Sequence, residues 1–216
     1  MSDVNFKKCI EEADLVLLTI EQDSFPLNLK KAIETGIKNY NISIVRYSDL
    51  TNEDLTNSNM LANVEEMNGK YYIEYNDKIL NEGRRRFSIC HELGHILLEH
   101  NLSLKNDPVQ EQEANIFAAE LLMPEAIIQE IVYRGYNITN ESSLQIIFKA
   151  SKQAYDIRLQ EYANYPDWRK KSIENSSILL QFKGFLDEAF PYKNNYEYCD
   201  IDEEENEERA RDAWRR

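Results

Sequence analysis

The stretch His91-Glu92-Leu93-Gly94-His95 decides how this chain is interpreted, because it uses two of the three histidines to spell H-E-x-x-H. On a helix, residues four apart lie one above the other on the same face. Two imidazoles held in that way can bind one Zn²⁺, and the glutamate beside the first histidine can act on a water molecule at the metal. The motif therefore predicts His91 and His95 as metal ligands and Glu92 as the acid–base group.

The residues around the motif predict one helix that presents both histidines on the same side. Asn81 can cap its N-terminus, and the helix is predicted to end near His100-Asn101. At about 100° per residue, an apolar stripe forms opposite the ligands and consists of Ile89, Leu93, Ile96 and Leu97. His100 would point about 180° away from His91, so we do not expect it to bind the metal. The alternative for His91 and His95 is a pair of ordinary histidines beside a core.

The third ligand should be a carboxylate or a thiolate, because a catalytic zinc site has three protein ligands and no further histidine is suitably placed. The next helix has a clear beginning, with Asp107 as N-cap and Pro108 at the first helical position, and it ends before Pro124. Its buried face is predicted to consist of Ala114, Phe117, Ala118, Leu121 and Leu122.

Three glutamates of this helix compete for the ligand position. Glu111 lies at the margin of the buried face, whereas Glu113 and Glu120 are seven residues apart and are predicted to face solvent. The geometry favours Glu111, and Asn115 could orient a zinc-bound imidazole or the Glu111 carboxylate from one turn further on. The alternative for Glu111 is an ordinary first-turn acid, which the helix dipole favours.

Two further stretches carry a family resemblance. Residues 111–124 read EQEANIFAAELLMP, and residues 85–87 read RRF. Together with the H-E-x-x-H motif they resemble the ImmA/IrrE-type zinc metallopeptidases, with their HExxH and E-x-x-A-N-x-F-A-A-x-L-L-M-P signatures. The stretch from Ser151 to Leu159 is similar to a later helix of that family, so the resemblance covers roughly residues 26–162. It implies that the zinc ligands are His91, His95 and Glu111 and that Glu92 is the catalytic acid/base.

The resemblance also implies a function. It suggests a zinc-dependent regulatory endopeptidase that cleaves a helix-turn-helix transcriptional repressor of a mobile element or a stress operon. The alternative is a toxin or regulatory partner of a toxin–antitoxin-type pair that uses the same zinc site. A third possibility is a non-enzymatic zinc-stabilised module. The intact Glu92 argues against it, because a structural site needs no general base and usually has four protein ligands.

Composition favours a cytoplasmic protein that binds other proteins. Cys9, Cys90 and Cys199 are odd in number and far apart, which indicates reduced thiols. The net charge of −14 opposes direct binding of nucleic acid but suits a basic partner such as a DNA-binding repressor. The only compact basic patch before the tail, Arg84-Arg85-Arg86, is interpreted as a solvated helix face or a pairing site for nearby acids. With no secretory leader and no long apolar run, we expect neither secretion nor a membrane span.

The predicted fold class is α+β. We expect a zincin-like metallopeptidase domain over residues 1–135, mostly helical with a small sheet before the HExxH helix. A helical C-terminal extension over residues 136–190 should pack on this domain. An acidic tail over residues 191–216 should be solvated and mobile, because it contains the like-charge block 200–208.

The local patterns predict the remaining elements. Helices are expected over residues 4–20, 27–38, 124–133, 142–162 and 167–190, and a strand is expected over residues 42–47. Strands 61–67 and 70–75 flank Asn68-Gly69, the strongest short hairpin signal in the chain. Residues Tyr71–Tyr75 are the predicted edge strand, which could bind an extended substrate by strand addition. The alternative for them is a plain sheet strand with exposed tyrosines.

Overall fold

The computed structural model describes residues 4–37, 39–50, 61–104, 107–137, 141–152, 154–155, 158 and 177–193. In the helix that begins at residue 141, it describes side chains only from residue 145 onward. Its α-helices are α1 (Phe6–Thr19), α2 (Leu29–Lys31), α3 (Glu82–Leu97), α4 (Pro108–Leu122), α5 (Glu125–Tyr133), α6 (Glu141–Phe148), α7 (Ser177–Gln181) and α8 (Lys183–Ala189). Its strands are β1 (Ile42–Arg46), β2 (Ala62–Met67) and β3 (Lys70–Tyr75). The predicted α+β class, mostly helical with a small sheet before the H-E-x-x-H helix, is therefore confirmed.

The three strands form one sheet in the order β1-β3-β2. The predicted hairpin is confirmed, since β2 and β3 pair antiparallel and Asn68 and Gly69 have φ values of 54° and 73° at the turn. The predicted edge strand is wrong: β3 lies in the centre, because β1 pairs with it in parallel on the side that the hairpin leaves free. Within the described residues the outer strands are β1 and β2.

Helices α3 and α4 pack closely against each other, and α1 also packs on α4. Gly94 allows the close approach, since a Cβ built there would lie 3.1 Å from a ring carbon of Phe117 and 3.2 Å from the Cα of Ala114. The predicted buried face of α4 is confirmed, but Ile116, Ala119 and Glu120 are buried as well. Because α4 is enclosed on most sides, it has no broad solvent-facing side.

The prediction that Glu113 and Glu120 face solvent is accordingly wrong. Glu120 is 1% exposed and forms an ion pair with the fully buried Arg158, whose Nε also donates a hydrogen bond to the carbonyl oxygen of Met123. The side chain of Glu113 is only 15% exposed and contacts both α1 and the loop after α3. Both carboxylates are held inside the structure because each has polar partners there: an ion pair with Arg158 for Glu120, and hydrogen bonds with Asn5 and His100 for Glu113.

Helix α3 ends earlier than predicted. Asn81 caps it as expected, through its side-chain oxygen and the amide of Arg84, but the helix stops at Leu97. Glu99 has a positive φ of 60°, and the amide of His100 donates a hydrogen bond to the carbonyl of His95. This is a Schellman-type ending, in which the chain turns back over the last helical turn. His100 therefore does not continue the helix but folds back towards His95.

The predicted helix over residues 142–162 is interrupted. Helix α6 ends at Phe148, Lys149 has a positive φ of 49°, and the hydroxyl of Ser151 accepts a hydrogen bond from the amide of Ala154 at the start of a new helical segment. The predicted helix over 27–38 is likewise a single α turn followed by a π-helical segment, Ala32–Gly36. Residues 159–162, 167–176 and the acidic block 200–208 lie outside the described residues.

The C-terminal helices share the hydrophobic core with the N-terminal half of the chain. The side-chain amide of Gln181 donates hydrogen bonds to the carbonyls of Leu17 and Ile20, and the ring of Phe182 stacks on Phe25 at 4.6 Å. The division of the chain at residue 135 stays a prediction. Helices with the length and apolarity needed to cross a membrane are absent from the described part of the chain.

Candidate metal centre

The three predicted ligands converge from two helices. The Nε2 atoms of His91 and His95 lie 3.0 Å apart, and the Glu111 carboxylate oxygens lie 3.3 Å from Nε2 of His91 and 3.5 Å from Nε2 of His95. One donor atom from each residue falls within 4.8 Å of the other two. The imidazoles are largely buried while the Glu111 side chain is 41% exposed, so the cluster is accessible from the Glu111 side.

Local structure explains this convergence. The spacing of four residues places the two histidines on one face of α3, as the sequence predicts. Glu111 reaches them from the first turn of α4, whose start is fixed by Asp107, since its carboxylate accepts hydrogen bonds from the amides of Val109 and Gln110.

Asn115 orients His91. Its side-chain oxygen lies 3.0 Å from Nδ1 of His91, and an amide oxygen can only accept a hydrogen bond, so Nδ1 carries the hydrogen. The lone pair of His91 is then on Nε2, the atom that faces Glu111 and His95. A metal-binding histidine commonly donates its other ring N–H in this way.

His95 is connected to a chain of polar groups that the sequence did not reveal. Nδ1 of His100 lies 2.9 Å from Nδ1 of His95, and Nε2 of His100 lies 3.1 Å from Glu113 Oε2. The other oxygen of Glu113 accepts a hydrogen bond of 2.7 Å from the backbone amide of Asn5, the N-cap of α1. The turn at Glu99 brings His100 to this position. The sequence gives no signal for the left-handed conformation of Glu99, because Gly or Asn is the usual residue at such a helix end.

Burial keeps the histidines neutral. It lowers the pKa of His95 to about 4 and lowers the pKa of His91 as well, although the neighbouring Glu111 carboxylate acts in the opposite direction on His91. Burial also lowers the pKa of His100. Neutral imidazole is the form that binds a metal ion, so the donor set of two ring nitrogens and one carboxylate fits a metal ion.

Comparison with known families agrees with this geometry. Residues 35–160 match the family model Peptidase_M78, described as the IrrE N-terminal-like domain, and the match spans more than half of the chain. The chain belongs to this family. Membership confirms the ImmA/IrrE resemblance, and together with the three-residue cluster it indicates a metallopeptidase with a protein substrate. A search of curated proteins finds no match to the chain.

Proposed function

We propose that this member of the M78 family is a zinc-dependent regulatory endopeptidase. The observation that carries the proposal is the convergence of His91, His95 and Glu111 from two helices in a peptidase family. Two imidazole nitrogens and one carboxylate oxygen are a frequent ligand set of catalytic zinc, which keeps a further position open. The exposure of Glu111 fits a site that a substrate can reach.

The protein's own residues would divide the work as follows. When bound, Zn²⁺ polarises a peptide carbonyl and lowers the pKa of water in the site. Glu92, half-buried on α3 beside His91, takes the proton from the attacking water and returns it to the leaving amine. Asn115 accepts a hydrogen bond from Nδ1 of His91, which leaves Nε2 of His91 unprotonated. In the proposed arrangement Nδ1 of His95 donates to His100, and His100 donates to Glu113, which leaves Nε2 of His95 unprotonated as well.

The proposed substrate is a DNA-binding repressor of a mobile element or a stress operon. The family resemblance supports this choice, and the net charge of −14 supports a basic protein partner through favourable long-range attraction. The proposed site of action is the cytoplasm, where such a repressor is found.

The test mixes the purified, zinc-loaded protein with a candidate helix-turn-helix repressor, chosen from the genes beside its own, and follows the products by mass spectrometry. The wild-type protein should produce two discrete fragments. Glu92→Gln should bind zinc and the repressor normally but produce no fragments, because an amide cannot take up the proton. The control Glu188→Gln, at an exposed position of α8, should cleave like the wild type.

Two results would count against the proposal. Cleavage by Glu92→Gln at the wild-type rate would exclude Glu92 as the acid–base group. A stable complex between the wild-type protein and the repressor without any cut would favour the toxin–antitoxin type of partnership instead.

A further inference from the structure

A second cleft lies on the side of α3 away from the metal centre. Arg85 and Arg86 project about 120–140° around the helix from His91, so they do not face the metal ligands. They line a cavity of about 490 Å³ between α3, β1 and the segment before α2. The proposed peptidase mechanism uses neither arginine.

The cleft is basic although the chain as a whole is strongly acidic. Five basic side chains line it, and only two acidic side chains, Asp49 and Glu82, do so. Nε of Arg46 lies 3.5 Å from Oδ2 of Asp49, and Nζ of Lys149 lies 3.1 Å from Oε1 of Glu82. These two basic groups are therefore paired. The other three basic residues, Lys30, Arg85 and Arg86, have no ion-pair partner among the residues that the structure describes.

Arg86 has unused hydrogen-bonding capacity. One of its terminal nitrogens donates a hydrogen bond of 2.9 Å to the carbonyl oxygen of Leu27. Its Nε is buried and has no hydrogen-bond partner within the described part of the chain, and burial lowers the pKa of the guanidinium. A buried donor without a partner is costly. Glu82 acts on Arg86 through charge attraction but makes no hydrogen bond to its Nε among the described residues, so this nitrogen can still donate to an anionic ligand.

We propose that this cleft binds a small organic phosphate. A phosphate group suits a cluster of unneutralised guanidinium and ammonium groups, since arginine can hold two of its oxygens at once. The cavity volume falls within the usual range of small-molecule sites, and Leu27, Ile44 and Tyr75 offer apolar and aromatic surface for the organic part of the ligand. The net charge of the chain argues against a long nucleic acid as the occupant.

The test uses AMP, inorganic phosphate and adenosine as probes in calorimetric titrations of the full-length, zinc-loaded protein. AMP should bind and adenosine should not, because only AMP carries the anion. Lys30→Gln, at an exposed position that should not affect folding, is expected to weaken AMP binding about tenfold. Arg86→Gln should abolish it. Arg84→Gln is the matched control, since Arg84 belongs to the same triplet, is exposed and does not line the cleft.

The probes also separate the possible sources of the phosphate group. Tighter binding of AMP than of inorganic phosphate would show that the apolar wall contributes and would support an organic phosphate. Equal affinity for both would overturn the organic phosphate as the ligand, because the apolar wall would then contribute nothing. The proposal is overturned if AMP binds no better than adenosine. It is also overturned if Arg84→Gln weakens binding as much as Lys30→Gln, since the attraction would then be general surface charge.

Discussion

Glu113 is expected to control zinc affinity without touching the metal. In the structure its carboxylate accepts hydrogen bonds from the His100 ring and from the Asn5 amide, and His100 in turn contacts Nδ1 of His95. Glu113→Ala removes the acceptor at the end of this chain, so the His100 ring can turn and His95 loses its fixed orientation. Helix periodicity alone predicts no effect of this substitution, because it places Glu113 on a solvent-facing side.

The expected magnitude follows from the contacts that are lost. Removing an outer partner of a metal-binding histidine typically weakens metal affinity about 10–100-fold. Fold stability should also fall by about 1–3 kcal/mol, because the Nε2 atom of the 5%-exposed His100 side chain loses its acceptor. Glu113→Gln keeps only one of the two acceptor oxygens, so its zinc affinity should lie between those of Glu113→Ala and the wild type. Gln112→Ala, at the exposed neighbouring position, is the control.

The assay is competition for Zn²⁺ between the protein and a chromophoric chelator, combined with urea unfolding of the metal-free variants. A stability loss with unchanged zinc affinity would show that Glu113 only supports the fold. Zinc affinity of Glu113→Ala within twofold of both wild type and Gln112→Ala would refute the positioning role. An intermediate zinc affinity of Glu113→Gln would support the hydrogen-bonding role, because this variant keeps one of the two acceptor oxygens.

Two further predictions concern the same pair of helices. Asn115→Ala should weaken zinc binding about 10–100-fold, because His91 loses its hydrogen bond to the Asn115 side chain. The stability of the fold should change little, because Asn115 is exposed. Unchanged zinc affinity in chelator competition would contradict this prediction. Glu120→Ala should destabilise the fold by about 3–5 kcal/mol, because it removes the carboxylate that forms an ion pair with the buried Arg158. Urea unfolding measures this loss of stability. The double variant Glu120→Ala with Arg158→Met should be more stable than Glu120→Ala alone. A double variant that is less stable would contradict the ion-pair explanation.

The parts of the site that depend on local periodicity could be predicted from the sequence. His91 and His95 share a face of α3 because they are four residues apart. Glu111 lies at the margin of the buried face of α4, and the N-cap Asp107 and Pro108 indicate where that helix begins. Asn115 follows one turn later. Each of these positions is fixed by helix geometry within a single element.

The parts that failed depend on turns and on contacts distant in sequence. The left-handed turn at Glu99 brings His100 back to His95, and no residue preference marks it. The central position of β3 depends on parallel pairing with β1, which lies about 30 residues earlier and gives no local signal. The burial of Glu120 depends on Arg158, which is 38 residues away. Periodicity within one helix cannot detect any of these partners.

The central claim is that His91, His95 and Glu111 together hold one zinc ion, and metal analysis after dialysis against a weak chelator tests it most directly. The wild-type protein and the Gln112→Ala control should retain about one equivalent of zinc per chain, because they keep all three ligands. His95→Ala and Glu111→Ala should retain almost none, while circular dichroism shows that they remain folded. A full equivalent of zinc in folded Glu111→Ala protein would contradict the assignment of the third ligand, and a wild-type protein that binds no zinc would contradict the account as a whole.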